Sequence, residues 1–168
     1  MKRLLIPLVC LMLLPLSVWS QTSVSIGDLK TFKQENNLIS IEANNAFVQI
    51  TAFRDDIIRV RAYKEKPLRA FSYAVDKQAE GKFTSVVDEG SKLVLKTAAL
   101  KIEITKTPVR VSFYTLEGKL INADDPRFGM TWLGSDVTCY KQMFEQEKFI
   151  GLGEKTGPLN KRSMAYEN

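Results

Sequence analysis

Histidine is absent from the chain, which removes the commonest general base and the commonest metal ligand together. Ser-His-Asp, Cys-His and histidine–zinc sites are therefore excluded from these residues, and any acid–base chemistry would fall to carboxylates, Lys or Tyr. The carboxylates form three conspicuous pairs. Asp55-Asp56 and Asp124-Asp125 are adjacent; neighbours on a strand point to opposite faces, and in a loop they initiate turns, so neither pair converges on one substrate bond. Glu145 and Glu147 have the spacing that puts both on one face of a strand, where burial would raise one pKa. The polar run Glu145-Gln146-Glu147-Lys148 favours solvent instead. No residue is nominated as catalytic or metal-binding, and no cofactor motif is legible.

A second kind of candidate is the segment Phe149-Ile150-Gly151-Leu152-Gly153-Glu154-Lys155-Thr156-Gly157-Pro158-Leu159-Asn160-Lys161-Arg162. An apolar strand runs into three glycines that tolerate positive φ, followed by an acid, two bases and an amide. It is not a phosphate loop, because the glycine spacing departs from G-x-G-x-x-G and Pro158 replaces the helix whose N-terminus would bind the anion. Physically it is a strand leaving its sheet into a tight polar loop, either an ordinary surface turn or a loop that reaches another domain. Glu154, Asn160, Lys161 and Arg162 are its candidate contact residues.

The elements that would position this loop are strands. Short runs rich in Val, Ile, Phe, Tyr and Thr are broken by turn residues at sandwich-like intervals, and no window shows helical periodicity. Leu38–Ala43, Asn44-Asn45 and Ala46–Phe53 spell a hairpin. Ile58–Tyr63 alternates strictly, predicting Ile58, Val60 and Ala62 on the core face and Arg59, Arg61 and Tyr63 on the other. Residues 64–81 form a long connection with room for one short strand near Phe71–Val75. Further strands are predicted at Phe83–Val87, Leu93–Thr97, Leu100–Ile104 and Val109–Tyr114, with Pro108 just ahead of its strand, where a missing N–H does least damage. Leu116–Lys119 and Asp124–Gly129 are turns, and a last strand pair spans Val137–Phe144 and Phe149–Leu152. The expected architecture is all-β, an antiparallel sandwich burying alternate residues.

Before these strands, Lys2 and Arg3, an apolar run from Leu4 to Leu16, and Ser17-Val18-Trp19-Ser20 have the build of a signal peptide cleaved after Ser20. The run is too short to span a bilayer, which needs about 20 residues, so export without a stable membrane anchor, to periplasm or exterior, is expected. Cleavage removes two of the 24 basic residues and no acidic one, so the whole-chain charge of +5 overstates how basic the mature protein is. Lys and Arg alternate with apolar residues as solvated strand faces, not in stacked basic clusters, and no nucleic-acid partner is expected. Cys10 leaves with the signal, so Cys139 has no disulfide partner within the chain. Cys139 reads as a small buried side chain in a strand. Residues 21–35 read as a lead-in and 36–168 as one domain, large enough for its own core.

The 149–162 segment closely resembles the end of the N-terminal domain of glycoside hydrolase family 31, the α-glucosidases and α-xylosidases. Ile57-Ile58-Arg59-Val60-Arg61 and Val109-Arg110-Val111-Ser112-Phe113 resemble strands of the same domain. The resemblance runs from about Asn36 to the end of the chain and departs at Ser163, where the family pattern has glycine after the basic pair. It implies a galactose-mutarotase-like sandwich that precedes a (β/α)8 catalytic barrel. The family's Trp-Asn-x-Asp loop, its nucleophilic aspartate and its acid/base aspartate are not among these residues. A retaining glycosidase holds two carboxyl groups about 5–5.5 Å apart, and neither role can be assigned here.

The resemblance thus implies the non-catalytic N-terminal domain of an exported retaining α-glycosidase acting on α-linked glucosides or xylosides. Its partners would be its own downstream barrel and an α-linked oligosaccharide, and the chain alone would be inactive. The competing expectation is a stand-alone carbohydrate-binding or scaffolding sandwich, for which Trp132, Tyr140 or Tyr166 would have to form an exposed stacking platform. A mutarotase-like enzyme is disfavoured because that chemistry in the resembling fold relies on histidine.

Overall fold

The computed structural model describes residues 22–66, 72–75, 78–151, 153–154, 156–163 and 165. The expected signal segment 1–20, with Cys10, and Phe71, Leu152 and Tyr166 lie outside them. The described residues contain no helix and twelve strands: β1 Val24–Ser25, β2 Leu29–Glu35, β3 Leu38–Ala43, β4 Phe47–Arg54, β5 Ile57–Tyr63, β6 Ser85–Asp88, β7 Lys92–Lys96, β8 Leu100–Lys106, β9 Val109–Thr115, β10 Leu120–Ala123, β11 Met130–Leu133 and β12 Asp136–Cys139. They form a four-stranded sheet in the order β2-β3-β4-β5, a five-stranded sheet in the order β10-β9-β8-β7-β6, and a small sheet β1-β11-β12. All pairings are antiparallel.

The core follows from the period of two. Alternate residues Ile39 and Ile41 of β3 and Val48 and Ile50 of β4 meet Leu93 and Leu95 of β7, Ile102 and Ile104 of β8, and Val109 and Val111 of β9 in one apolar cluster, with Trp132 of β11 joining it. Each buried branched side chain contributes roughly 1.5–3 kcal/mol relative to exposure. On the opposite face of the five-stranded sheet, Lys92 and Lys101 bracket Glu103 at 3.0 and 3.1 Å. Burial pushes the Glu103 carboxyl up, but the hydrogen bonds from Lys92 and Lys101 outweigh it and hold the group below its ordinary value.

The β3–β4 hairpin turns at Asn44-Asn45 as expected; Ala43 N–H donates to Ala46 O at 2.8 Å, and Asn45 Nδ2 fastens the turn to Ser25 O at 3.0 Å. Four expectations need correction. The lead-in contains β1 and β2, and β2 pairs with β3 along its length; as an edge strand it packs only Leu29 and Phe32 against the core, so its polar composition concealed it. In β5, also an edge strand, Ile58 and Ala62 reach the core but Val60 stays 37% exposed, because an edge strand lacks a neighbour on one side. The described residues of 64–81 contain no strand, and Tyr73 lies in a turn. The last strand pair does not form: β12 pairs with β11, and Ile150 makes only an isolated bridge to Asn160.

Candidate functional site

After β12 the chain passes beside the Asp124–Gly129 loop, with Tyr140 N–H donating to Gly129 O at 2.7 Å and Gln142 N–H to Ala123 O at 2.9 Å. It turns at Glu145-Gln146 and returns through Phe149. Glu145 and Glu147 therefore sit in a turn and not on one strand face, with Glu147 Oε2 accepting from Phe144 N–H at 3.1 Å. The following loop bends at Gly151, Gly153 and Gly157, whose φ values of 88°, 79° and 98° are freely open only to glycine.

Three of the four candidate residues close this loop on itself. Asn160 Oδ1 accepts from Phe149 N–H at 3.0 Å and from Arg162 N–H at 3.2 Å, while Lys161 N–H donates to Phe149 O at 2.7 Å. Lys161 is buried, and its Nζ donates to Thr156 O at 3.0 Å across the loop. Arg162 Nη1 donates to the carbonyls of Phe144, Glu145 and Glu147 at 2.7, 2.6 and 2.8 Å. That nitrogen carries two hydrogens, so the three acceptors share them. Glu154 is not drawn into this cluster and stays exposed. Ser163, where the resemblance expects glycine, has φ 66°, a left-handed conformation that costs an L-residue roughly 1–2 kcal/mol.

A second arginine holds the neighbouring loop. Read from sequence as part of a solvated strand face, Arg110 is instead only 6% exposed, because the Asp124–Gly129 loop folds over it. Its Nε donates to Asp125 O at 3.1 Å, Nη1 to Val109 O at 2.8 Å and Nη2 to Arg127 O at 3.3 Å. Gly129 lets the loop approach: a Cβ there would lie 2.5 Å from Arg110 Nε. Asp125 Oδ1 accepts from Arg127 and Phe128 N–H at 2.9 and 3.0 Å. Chiefly the Phe128 N–H, with Arg127 N–H and the Arg127 and Arg110 cations adding to it, holds the Asp125 carboxyl below its ordinary value. Asp124 Oδ1 bonds Lys141 Nζ at 2.6 Å and its Oδ2 accepts from Val111 N–H at 2.8 Å. Asp55 and Asp56 occupy the β4–β5 turn, where Asp56 pairs with Arg54 at 3.1 Å. All four aspartates thus serve turns and strand junctions.

Near these two loops are exposed apolar side chains that no sequence pattern announced. Phe128, Leu133, Val137, Tyr140, Met143 and Ile150 are all exposed, as is every residue of β12. Cys139 is among them, against the expectation of burial, because β12 is the outer strand of its small sheet. Phe128 and Tyr140 stack with ring centroids 5.2 Å apart but tilted by 42°. Trp132 belongs to the core and Tyr140 is 45% exposed, so those two do not make one flat platform. Arg110 and Phe128 were missed in sequence because alternation marks a strand's faces without revealing which loop returns to cover one of them.

Residues 47–168 match the glycosyl hydrolase 31 N-terminal galactose mutarotase-like domain. The chain is 33% identical over 142 residues to alpha-glucosidase 2 of Bacillus thermoamyloliquefaciens, covering 83% of this chain and 18% of that protein. Its fold superposes on a Flavobacterium johnsoniae GH31 dextranase, solved in complexes with isomaltotriose and with glucose, at a TM-score of 0.77 and 24% identity, over 85% of this chain and 18% of the dextranase. It also superposes on an uncharacterized Listeria monocytogenes protein at a TM-score of 0.68 and 18% identity, over 84% of this chain and 14% of that one. The chain spans under a fifth of the length of these relatives, matching their N-terminal part. It belongs to glycoside hydrolase family 31, of which it carries the N-terminal galactose mutarotase-like domain.

Proposed function

We propose that this domain is the non-catalytic front of an exported retaining α-glycosidase that hydrolyses α-linked glucosides or xylosides, and that its 149–163 loop and adjoining apolar flank support the catalytic barrel and its active-site rim. One observation carries the proposal: Phe128 and Tyr140 are exposed and in ring contact beside the arginine-held loop, with Met143 and Ile150 exposed along the segment that follows. Exposed apolar side chains held on a rigid support mark an interaction site, and aromatic and Met side chains are enriched at interface cores. Asn160, Lys161 and Arg162 act by fixing the loop, and Glu154 is the member left facing outward. The relatives' greater length and the name alpha-glucosidase agree with this role, while export rests on the Lys2–Ser20 pattern.

The test compares the mature chain with a version extended through its natural downstream sequence, both assayed on aryl α-glucosides and α-xylosides. The extended protein turns over at least one of them and the chain alone neither. Turnover by the pure mature chain would show that it holds catalytic groups of its own, and an inactive extended protein that binds no α-glucoside would remove the glycosidase assignment.

A further inference from the structure

The far end of the four-stranded sheet takes no part in that role, yet it holds a built cleft. Two adjoining cavities of about 460 and 420 Å³ share Phe53, Arg54 and Glu80 in their walls, each within the roughly 300–1,000 Å³ of small-molecule sites. The larger adds Ile57, Arg59 and Gln78. Its walls are fixed from behind: Glu80 and Gly81 N–H both donate to Phe53 O at 3.0 Å, Asn37 Nδ2 donates to Ala79 O at 2.7 Å, and Thr97 Oγ1 donates to Asp55 O at 2.6 Å. Gly81 is needed for that approach, since a Cβ there would lie 2.8 Å from the Arg54 carbonyl carbon and oxygen.

Within this frame Arg59 is the unexplained group. Its guanidinium carbon stands 4.6 Å from the Phe53 ring centroid, while its Nε is buried without a hydrogen-bond partner. Among the described residues it forms no ion pair, whereas neighbouring Arg54 is paired with Asp56. The Arg59 Nε is closed off from solvent, which leaves the Nη groups of this stacked, preorganised guanidinium as the donors a ligand could reach. The ligand chemistry follows from the rest of the lining. Arg54 and Arg59 stand against Asp55, Asp56 and Glu80 across the two cavities, so the lining has no positive excess to select an anion. Donors and acceptors side by side suit hydroxyls, which are both at once, and Phe53 and Ile57 offer apolar surface for the C–H face of a sugar ring.

We propose that this cleft is a carbohydrate-binding site of the domain, taking a short neutral oligosaccharide, with Arg59 donating to ring hydroxyls and Glu80 accepting from them beside the Phe53–Ile57 wall. The probe is isomaltotriose, titrated into the isotopically labelled chain while backbone amide shifts are followed. The expected result is saturable shifts at Phe53, Ile57 and Glu80 with a Kd on the order of 1 mM. Glu80→Gln, a change at an exposed side chain, and Arg59→Lys, which keeps charge but loses the planar fork, each weaken binding about fivefold or more. An unchanged amide spectrum in the absence of sugar shows that the fold is intact. No cleft shifts at the highest soluble concentration, shifts confined to 149–163, or saturation by inorganic phosphate in place of sugar would each overturn the site. The titration uses the chain alone, so its failure leaves the barrel-supporting role standing, and the converse holds.

Discussion

Arg110 and Arg162 aim their guanidinium groups at backbone carbonyls instead of carboxylates. A charged donor is worth more to a carbonyl than a neutral one, roughly 1.5–3 kcal/mol net, and one fork can tie several turns that no strand ladder reaches. Arg162→Met keeps much of the stem packing but strands the carbonyls of Phe144, Glu145 and Glu147. We expect amide exchange across 144–163 to accelerate while the core strands are unaffected, as local unfolding permits; exchange unchanged in that segment would show the contacts to be incidental. Asp125 gives a pH test. Its folded pKa is depressed, so the carboxylate stabilises the loop above the ordinary Asp value of about 3.9 and loses that contribution as pH falls through the lower folded value. The Asp124–Gly129 amides are expected to lose protection on acidification below about pH 4 in the parent, and Asp125→Asn to abolish the pH dependence while keeping an acceptor for Phe128 N–H.

At the scale of elements, the strands of the two larger sheets were legible except β2 and β10, whereas β1 and β11 of the small sheet were not. Ile39, Ile41, Leu93, Leu95, Ile102 and Ile104 alternate cleanly because each lies on an internal strand facing the other sheet. β2 and β12 lie at edges, where the burial that creates alternation is incomplete. The loop between β10 and β11 is set by a contact far apart in sequence, Gly129 against Arg110, and two glycines separate the causes. Gly118 has φ 91° and open space around it, whereas Gly129 has φ 55° and a clash waiting. Gly118→Ala should therefore cost only about 1 kcal/mol of backbone strain. Gly129→Ala adds overpacking to the same strain and should cost about 3 kcal/mol in denaturant unfolding. Equal losses would mean that Arg110 yields freely.

For the whole molecule, the exposed aromatic flank has a stability signature. Phe128 and Tyr140 lie outside the main cluster, and surface changes usually stay within about 0.5 kcal/mol. The double change Phe128→Ser and Tyr140→Ser should leave the thermal midpoint of this chain in place, yet lower that of the downstream-extended protein, because only there would the flank be covered. A drop in the isolated chain would place the pair in its own core instead. The sequence by itself determined the all-β class, the hairpin at Asn44-Asn45, the turns carrying the aspartate pairs, and the loop whose glycines and Asn160-Lys161-Arg162 run carry the family resemblance. Those features are local: the period of two, turn chemistry and positive φ act over a few residues. Only the tertiary structure decided that Arg110 is buried, that Cys139 is exposed, that Arg162 grips a turn fifteen or more residues earlier, and that β12 pairs with β11 and not with Phe149–Gly151. Each of these depends on which loop returns over which face, and that is set by long-range packing that no spacing along the chain encodes.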